Sequence, residues 1–174
     1  MLSEGEVSYE SEVRGRETEA GGPELAAINQ TRNSPQILAD NIYRHLSIAA
    51  PYLELIEEMT VKEFLQFHEQ FKPLLSSVTI EMIITTLGLE KATNKQIRNY
   101  SSGMKQRVKL AQAIFSNVPI ILLDEPCTNL DEEGIALYRQ LINVYCNQRL
   151  VIVSSNDSVE YEFCKERVNI IDYK

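Results

Sequence analysis

The chain has 174 residues, 44% of them apolar and 24% charged, the balance of a soluble globular domain with room for a proper core. A net charge of −8 excludes a general nucleic-acid coat, which needs clustered Lys and Arg. No apolar run is long enough for a bilayer, MLSEGEVSYE lacks the parts of a signal peptide, and three cysteines without metal-ligand spacing read as reduced thiols.

Taken in chain order, GEVSYE (residues 5–10) alternates as a strand does. Seven Glu against two Arg in residues 1–24 place −5 of the net charge there, a solvated loop or exposed hairpin. Residues 14–36, with Gly21, Gly22 and Pro23, read as a turn or mobile loop with a short helix. YRHLSIAAP is expected to be a strand ending at Pro51. TVKE (residues 60–63) is a capping box that opens a helix with Val61, Phe64, Leu65, His68 and Phe71 on one face, stopping before Pro73. His68 is expected to be packed rather than a ligand. A second helix over residues 79–87 carries Ile80, Ile83, Ile84 and Leu87 at helical spacing and ends at Gly88.

A third helix runs from Ser101 to about Ser116, and PIILLDEP follows as a buried strand with two carboxylates at its C-terminal end. EEGIALYRQLINVYC is amphipathic through Ile135, Tyr138, Leu141, Ile142 and Tyr145. RLVIVSS is another apolar strand, residues 159–164 a short helix, and RVNIID a last strand. Helices alternating with apolar strands predict an α/β fold with a mainly parallel sheet.

Two features carry chemistry. Asp124 and Glu125 close a parallel strand, where α/β sheets bind ligands. One carboxylate there can hold Mg²⁺ through its water shell, and the next can orient or deprotonate a water. The other reading is an acidic turn in solvent. YSSGMKQR places Ser102 and Gly103 at a helix start, where free amides and the helix dipole favour phosphate, although helix capping is the commoner use of such residues. Cys127 has no base beside it and reads as a small loop residue. Lys105 and Arg107 either touch phosphate, pair with acids or face solvent.

In order and spacing, YSSGMKQRVKLAQAI, PIILLDEP, TNLD and VSSND resemble the second half of an ATP-binding-cassette (ABC) ATPase. The likeness covers roughly residues 47–172. It implies a P-loop NTPase-like sheet with a small helical subdomain. It places the family's signature on Tyr100, Ser101, Ser102, Gly103 and Met104, its magnesium-side aspartate on Asp124, and its catalytic glutamate on Glu125. The loop that contacts the partner subunit falls on residues 129–131, ending at Asp131. Two positions depart. Asn156 stands where a histidine usually contacts the γ-phosphate, and can donate a hydrogen bond but not carry a proton charge. Pro51 or a neighbour stands at the usual glutamine. Either change would slow hydrolysis without excluding it.

The phosphate loop, Gly-x-x-x-x-Gly-Lys-Ser/Thr, is missing: none of the seven glycines is followed by lysine. MLSEGEVSYE resembles the segment just after the loop's helix, so the expectation is that the first strands, the loop and its helix lie upstream. The family's phosphate-loop strand sits between those read here as VIVSS and VNIID. Its loss should leave a gap, exposed apolar edges and marginal stability. The organisation expected is a remnant of the N-terminal β part and loop over 1–50, the helical subdomain over 51–99, and the signature, Walker B and C-terminal α/β part over 100–174.

The implied function is the energy-coupling subunit of an ABC transporter, binding ATP and Mg²⁺, as a head-to-tail dimer with a second ABC ATPase subunit. A transmembrane permease subunit would dock near residues 51–99 and hold it at the cytoplasmic face of the membrane. As written, the chain should bind ATP weakly and turn it over barely or not at all. Because Asp124 and Glu125 serve a nucleotide held by their own subunit, their presence favours truncation of a working parent over a degenerate subunit that lends only its signature. A soluble ABC ATPase acting on DNA or ribosomes is disfavoured by charge and by the lack of a coiled-coil insertion or second cassette.

Overall fold

The computed structural model describes residues 39–173, so the readings made for residues 5–36 lie outside the described part. Three strands, β1 (Leu46–Ala49), β2 (Ile120–Asp124) and β3 (Leu150–Ser154), form one sheet in that order, all parallel. Parallel neighbours require crossovers. The β1–β2 crossover carries α1 (Val61–Glu69), α2 (Ile80–Thr86) and α3 (Ser102–Ile114); that between β2 and β3 is α4 (Glu132–Tyr145). A last short helix, α5 (Ser158–Tyr161), follows β3.

The helix starts have local causes. Thr60 caps α1, accepting from the Glu63 amide at 3.3 Å while Glu63 Oε2 accepts from the Thr60 amide at 2.8 Å. The Thr60 amide first, and then the Thr60 hydroxyl, donate to the Glu63 carboxylate and hold its pKa below the ordinary value. Thr79, Ser101, Asp131 and Asp157 cap α2, α3, α4 and α5 with their side chains. Such caps contribute about 1 kcal/mol each. Gly88 follows α2 at φ +67°, a conformation that glycine adopts without strain.

α3 packs on β1, β2 and α4. Its Val108, Leu110, Ala111, Ala113 and Ile114 are buried, as are Ile121 and Leu123 of β2 and Tyr138, Leu141 and Ile142 of α4. His68 lies at the edge of this core, its Nε2 2.8 Å from Ser116 Oγ; burial first, then nearby Lys72, lowers its pKa. Arg149 ties the helix ends together by donating to the carbonyls of Ile114, Ser116 and Tyr145.

The opposite face of the sheet is different. In register, Leu46, Ile120 and Leu150 form one row and Ile48, Leu122 and Ile152 the next. Leu150 is 56% and Ile152 50% exposed, so among the described residues this apolar face is only partly covered. Purely parallel sheets ordinarily bury both faces.

Three expectations are corrected. YRHLSIAAP yields only the four residues of β1, preceded by a 3₁₀ segment over Ala39–Arg44. The helix expected over 159–164 is α5, which starts one residue earlier at its Asp157 cap and has four residues. RVNIID forms no strand: it leaves the sheet and ends in a 3₁₀ segment, Ile170–Tyr173. Among the described residues no neighbouring strand takes up its amides, and Val168, Ile170 and Ile171 stay exposed.

Candidate functional site

β2 delivers Asp124 and Glu125 to the C-terminal edge of the sheet, both half-buried. Asp124 lies opposite Ser154 of β3, and the Glu125 amide donates to the Ser154 carbonyl at 2.9 Å. The chain then turns sharply. Glu125 has φ +43° and Asn129 φ +64°. Asparagine tolerates that region, but a glutamate there costs on the order of 1–3 kcal/mol unless its surroundings hold it. The turn is closed by the Thr128 amide on the Glu125 carbonyl (3.1 Å) and the Leu130 amide on the Cys127 carbonyl (2.9 Å).

Helix α3 begins beside this turn. Ser101 Oγ accepts from the Met104 amide at 3.2 Å, leaving Ser102 exposed and Gly103 half-buried in the first turn. A Cβ at Gly103 would lie 3.0 Å from the Asn129 carbonyl oxygen, so the close approach of α3 and this loop favours glycine, and a side chain there would push the loop back by a few tenths of an ångström. Asp131 Oδ1 accepts from the Gly134 amide at 2.8 Å and lies 3.6 Å from Arg107 Nη2. Arg107 also faces Glu133 at 3.7 Å and donates to the Leu87 carbonyl. Ser101, Ser102, Gly103, Met104, Asn129 and Asp131 thereby line one cleft of about 500 Å³, which Lys91 and Lys95 also border.

The other singled-out residues divide. Tyr100 is buried, its hydroxyl donating to the Ala92 carbonyl at 2.9 Å, and burial raises its pKa. It anchors the entry to α3 and does not line the cleft. Asn156 is exposed in the loop after β3, at the same sheet edge as Asp124. Pro51 follows β1, and its carbonyl accepts from Lys109 Nζ. Lys105 is occupied by Glu57 at 2.5 Å. Cys127 is buried, and its thiol is pushed up to about 12, first by burial and then by the charges of Glu160 and Asp157. That makes it an inert thiol.

Two buried polar residues at this turn, Gln106 and Glu160, escaped the sequence reading. For Gln106 a signal existed: it sits four residues before Leu110 and seven before Ala113, on the buried side of α3.

A parallel sheet, crossover helices and a carboxylate pair at the end of the middle strand define an α/β fold of the P-loop NTPase type. Residues 3–128 match the profile of the ABC transporter family, and the chain belongs to that family. It is 29% identical over 143 residues to AlbC, an ABC transporter ATP-binding protein of Bacillus subtilis (strain 168), covering 80% of this chain and 60% of that protein. The bacitracin transport ATP-binding protein BcrA of Bacillus licheniformis is 27% identical over 156 residues, 84% of this chain and 51% of BcrA. An ABC transporter ATP-binding protein from Pyrococcus furiosus, solved experimentally, shares the fold: the TM-score is 0.56 at 17% identity, over 68% of this chain and 60% of that one. The chain thus spans about half to three fifths of the length of the two curated relatives. Among the described residues, no helix is long and apolar enough to cross a membrane.

Proposed function

We propose that this chain provides the metal-binding, water-activating and signature parts of an ATPase subunit that drives an ABC transporter. The observation that carries the reading is the meeting of two elements: Asp124 and Glu125 end the middle strand, while the start of α3 packs Gly103 against Asn129. Family membership supports ATP as the substrate.

Asp124 is the Mg²⁺ ligand. A single carboxylate at a strand end fits this hard ion, which is commonly held by one or two carboxylates plus waters and phosphates. Held there, Mg²⁺ would neutralise charge on the transferring phosphate. Glu125 accepts the proton of the attacking water, and Asn156 donates a hydrogen bond toward the γ-phosphate. Ser101, Ser102 and Gly103, with the free amides and positive end of α3, receive the phosphates of an ATP held by a second ABC ATPase subunit in a head-to-tail dimer. Met104 and Asp131 border that contact, and Tyr100 holds its base in place. Without a Gly-Lys-Ser/Thr loop, residues 1–174 alone bind Mg-ATP weakly and hydrolyse it barely or not at all.

The transmembrane permease subunit docks on the helical part between residues 51 and 99, holding the ATPase at the cytoplasmic face of the membrane. Support comes from exposed Tyr52, Phe67, Phe71 and Met82 in that region, with Phe67 and Phe71 stacked edge to face at 5.0 Å.

The metal assignment is checked by Asp124→Asn in a longer polypeptide that joins a phosphate-loop segment to residues 1–174. The Mg²⁺ concentration for half-maximal ATP turnover is expected to rise roughly 10–100-fold, the range for lost metal-site contacts. An unchanged Mg²⁺ dependence would remove Asp124 from the metal site.

A further inference from the structure

The turn after Asp124 is held by two buried side chains that the proposed chemistry does not use. Gln106 is 2% exposed, and its Nε2 donates to the Pro126 carbonyl at 2.8 Å. Glu160 is 3% exposed, and its Oε1 accepts from the Cys127 amide at 2.6 Å. The backbone carbonyl of Glu160 accepts in turn from the hydroxyl of Tyr138, a fully buried core residue of α4, at 2.7 Å.

Glu160 is costly where it stands. Among the described residues, its Oε2 is the one buried side-chain oxygen or nitrogen without a hydrogen-bond partner. Burial raises its pKa first; the nearby Ser155 hydroxyl, which makes no hydrogen bond to it, and the bonded Cys127 amide pull it back, and the charges of Glu125 and Asp157 push it up again. A leucine there would avoid that cost. What the carboxyl does supply is an acceptor for one amide of a turn whose two ends, Glu125 and Asn129, sit at positive φ. Such a backbone persists only when neighbouring groups over-determine it.

We propose that Glu160 and Gln106 are positioning residues. They tie the adjacent Cys127 amide and Pro126 carbonyl from α5 and α3, so that Glu125 keeps its left-handed backbone and hence the direction of its carboxylate. Gln106 belongs to the helix that Ser102 and Gly103 begin, so displacement of α3 reaches the turn of Glu125 through one hydrogen bond. The role rests on the reading of Glu125 as the catalytic base.

The test is amide hydrogen exchange by NMR on residues 1–174, comparing the wild type with Glu160→Gln, Glu160→Leu and Gln106→Met. Glu160→Leu removes the acceptor and is expected to speed exchange at Cys127, Thr128 and Leu130 about tenfold or more. Glu160→Gln keeps an oxygen there and should stay within roughly threefold of wild type, with Leu141 and Ile142 unchanged in both. Unaltered exchange in Glu160→Leu, or a glutamine variant as fast as the leucine one, overturns the clamp. Should Glu160→Leu fail to fold, Gln106→Met decides: Thr128 must exchange faster, and unchanged exchange overturns the proposal. In the longer polypeptide, Glu160→Leu should lower kcat about tenfold with KM for ATP little changed, and Glu160→Gln should restore it. The two readings fail separately. Turnover indifferent to Glu125→Gln ends the positioning role but leaves the exchange result, whereas slow exchange in Glu160→Leu ends the clamp but leaves Glu125 as base.

Discussion

Glu125→Gln, in a polypeptide that joins a phosphate-loop segment to residues 1–174, is expected to lower ATP turnover roughly 10²–10⁴-fold, the range for loss of a positioned general base. Glutamine keeps the shape and a hydrogen-bonding oxygen but cannot take a proton from water. Glu125 closes the central strand, its amide continues the ladder to Ser154, and its φ of +43° sets its side chain apart from the strand's alternation. Mg-ATP affinity should stay within about threefold, because the group acts on the reacting water and not on ground-state binding. Steady-state hydrolysis and equilibrium binding measured on one preparation separate the two effects. A variant that retains more than half the wild-type rate would take the base away from Glu125.

Gly103→Val is expected to be nearly as damaging by a different route. A Cβ at this position already meets the Asn129 carbonyl oxygen at 3.0 Å, and valine adds two methyl groups. Either α3 or the loop through Asn129 and Asp131 must move, and both border the cleft proposed to meet the partner's ATP. A displacement near 1 Å in such a site costs about 100-fold in rate. Overpacking at one edge position should cost about 1–3 kcal/mol of stability, so the domain remains folded. The readouts are turnover and Mg-ATP-dependent dimerisation by sedimentation. Full dimerisation with full turnover in the valine variant would show that the signature and the Asn129 loop need not touch.

Much of this fold was legible because its signals are local. The capping box at Thr60, the cap at Thr79 with Gly88 at the far end of α2, and the bracketed apolar run of β2 each depend on a few adjacent residues. The segment around residues 167–172 shows where local pattern fails. Val168, Ile170 and Ile171 have the composition of a strand, but strand formation depends on a partner that no neighbouring residue supplies. The half-covered face of Leu150 and Ile152 was foreseen only as exposed edges, since an apolar run does not reveal which of its sides is covered.

The site was legible in part for the same reason. Asp124, Glu125, Ser102, Gly103 and Asp131 stand in short contiguous motifs. That Gly103 lies against Asn129 across 26 residues of sequence is a tertiary fact. Tyr100 was grouped with the signature through the family resemblance, yet it is buried with its hydroxyl on the Ala92 carbonyl. Gln106 and Glu160 were passed over as ordinary polar residues. Only their burial against the Pro126 and Cys127 backbone gives them a role.

The most direct measurement is calorimetric titration of Mg-ATP into residues 1–174 alone and into a longer polypeptide that joins a phosphate-loop segment to them. The account predicts no saturable binding by residues 1–174 below about 1 mM. It predicts binding and hydrolysis by the longer chain, with Glu125→Gln abolishing turnover. Saturable binding by residues 1–174 alone with Kd below about 10 μM would contradict it, because ATP would then be held without a phosphate loop.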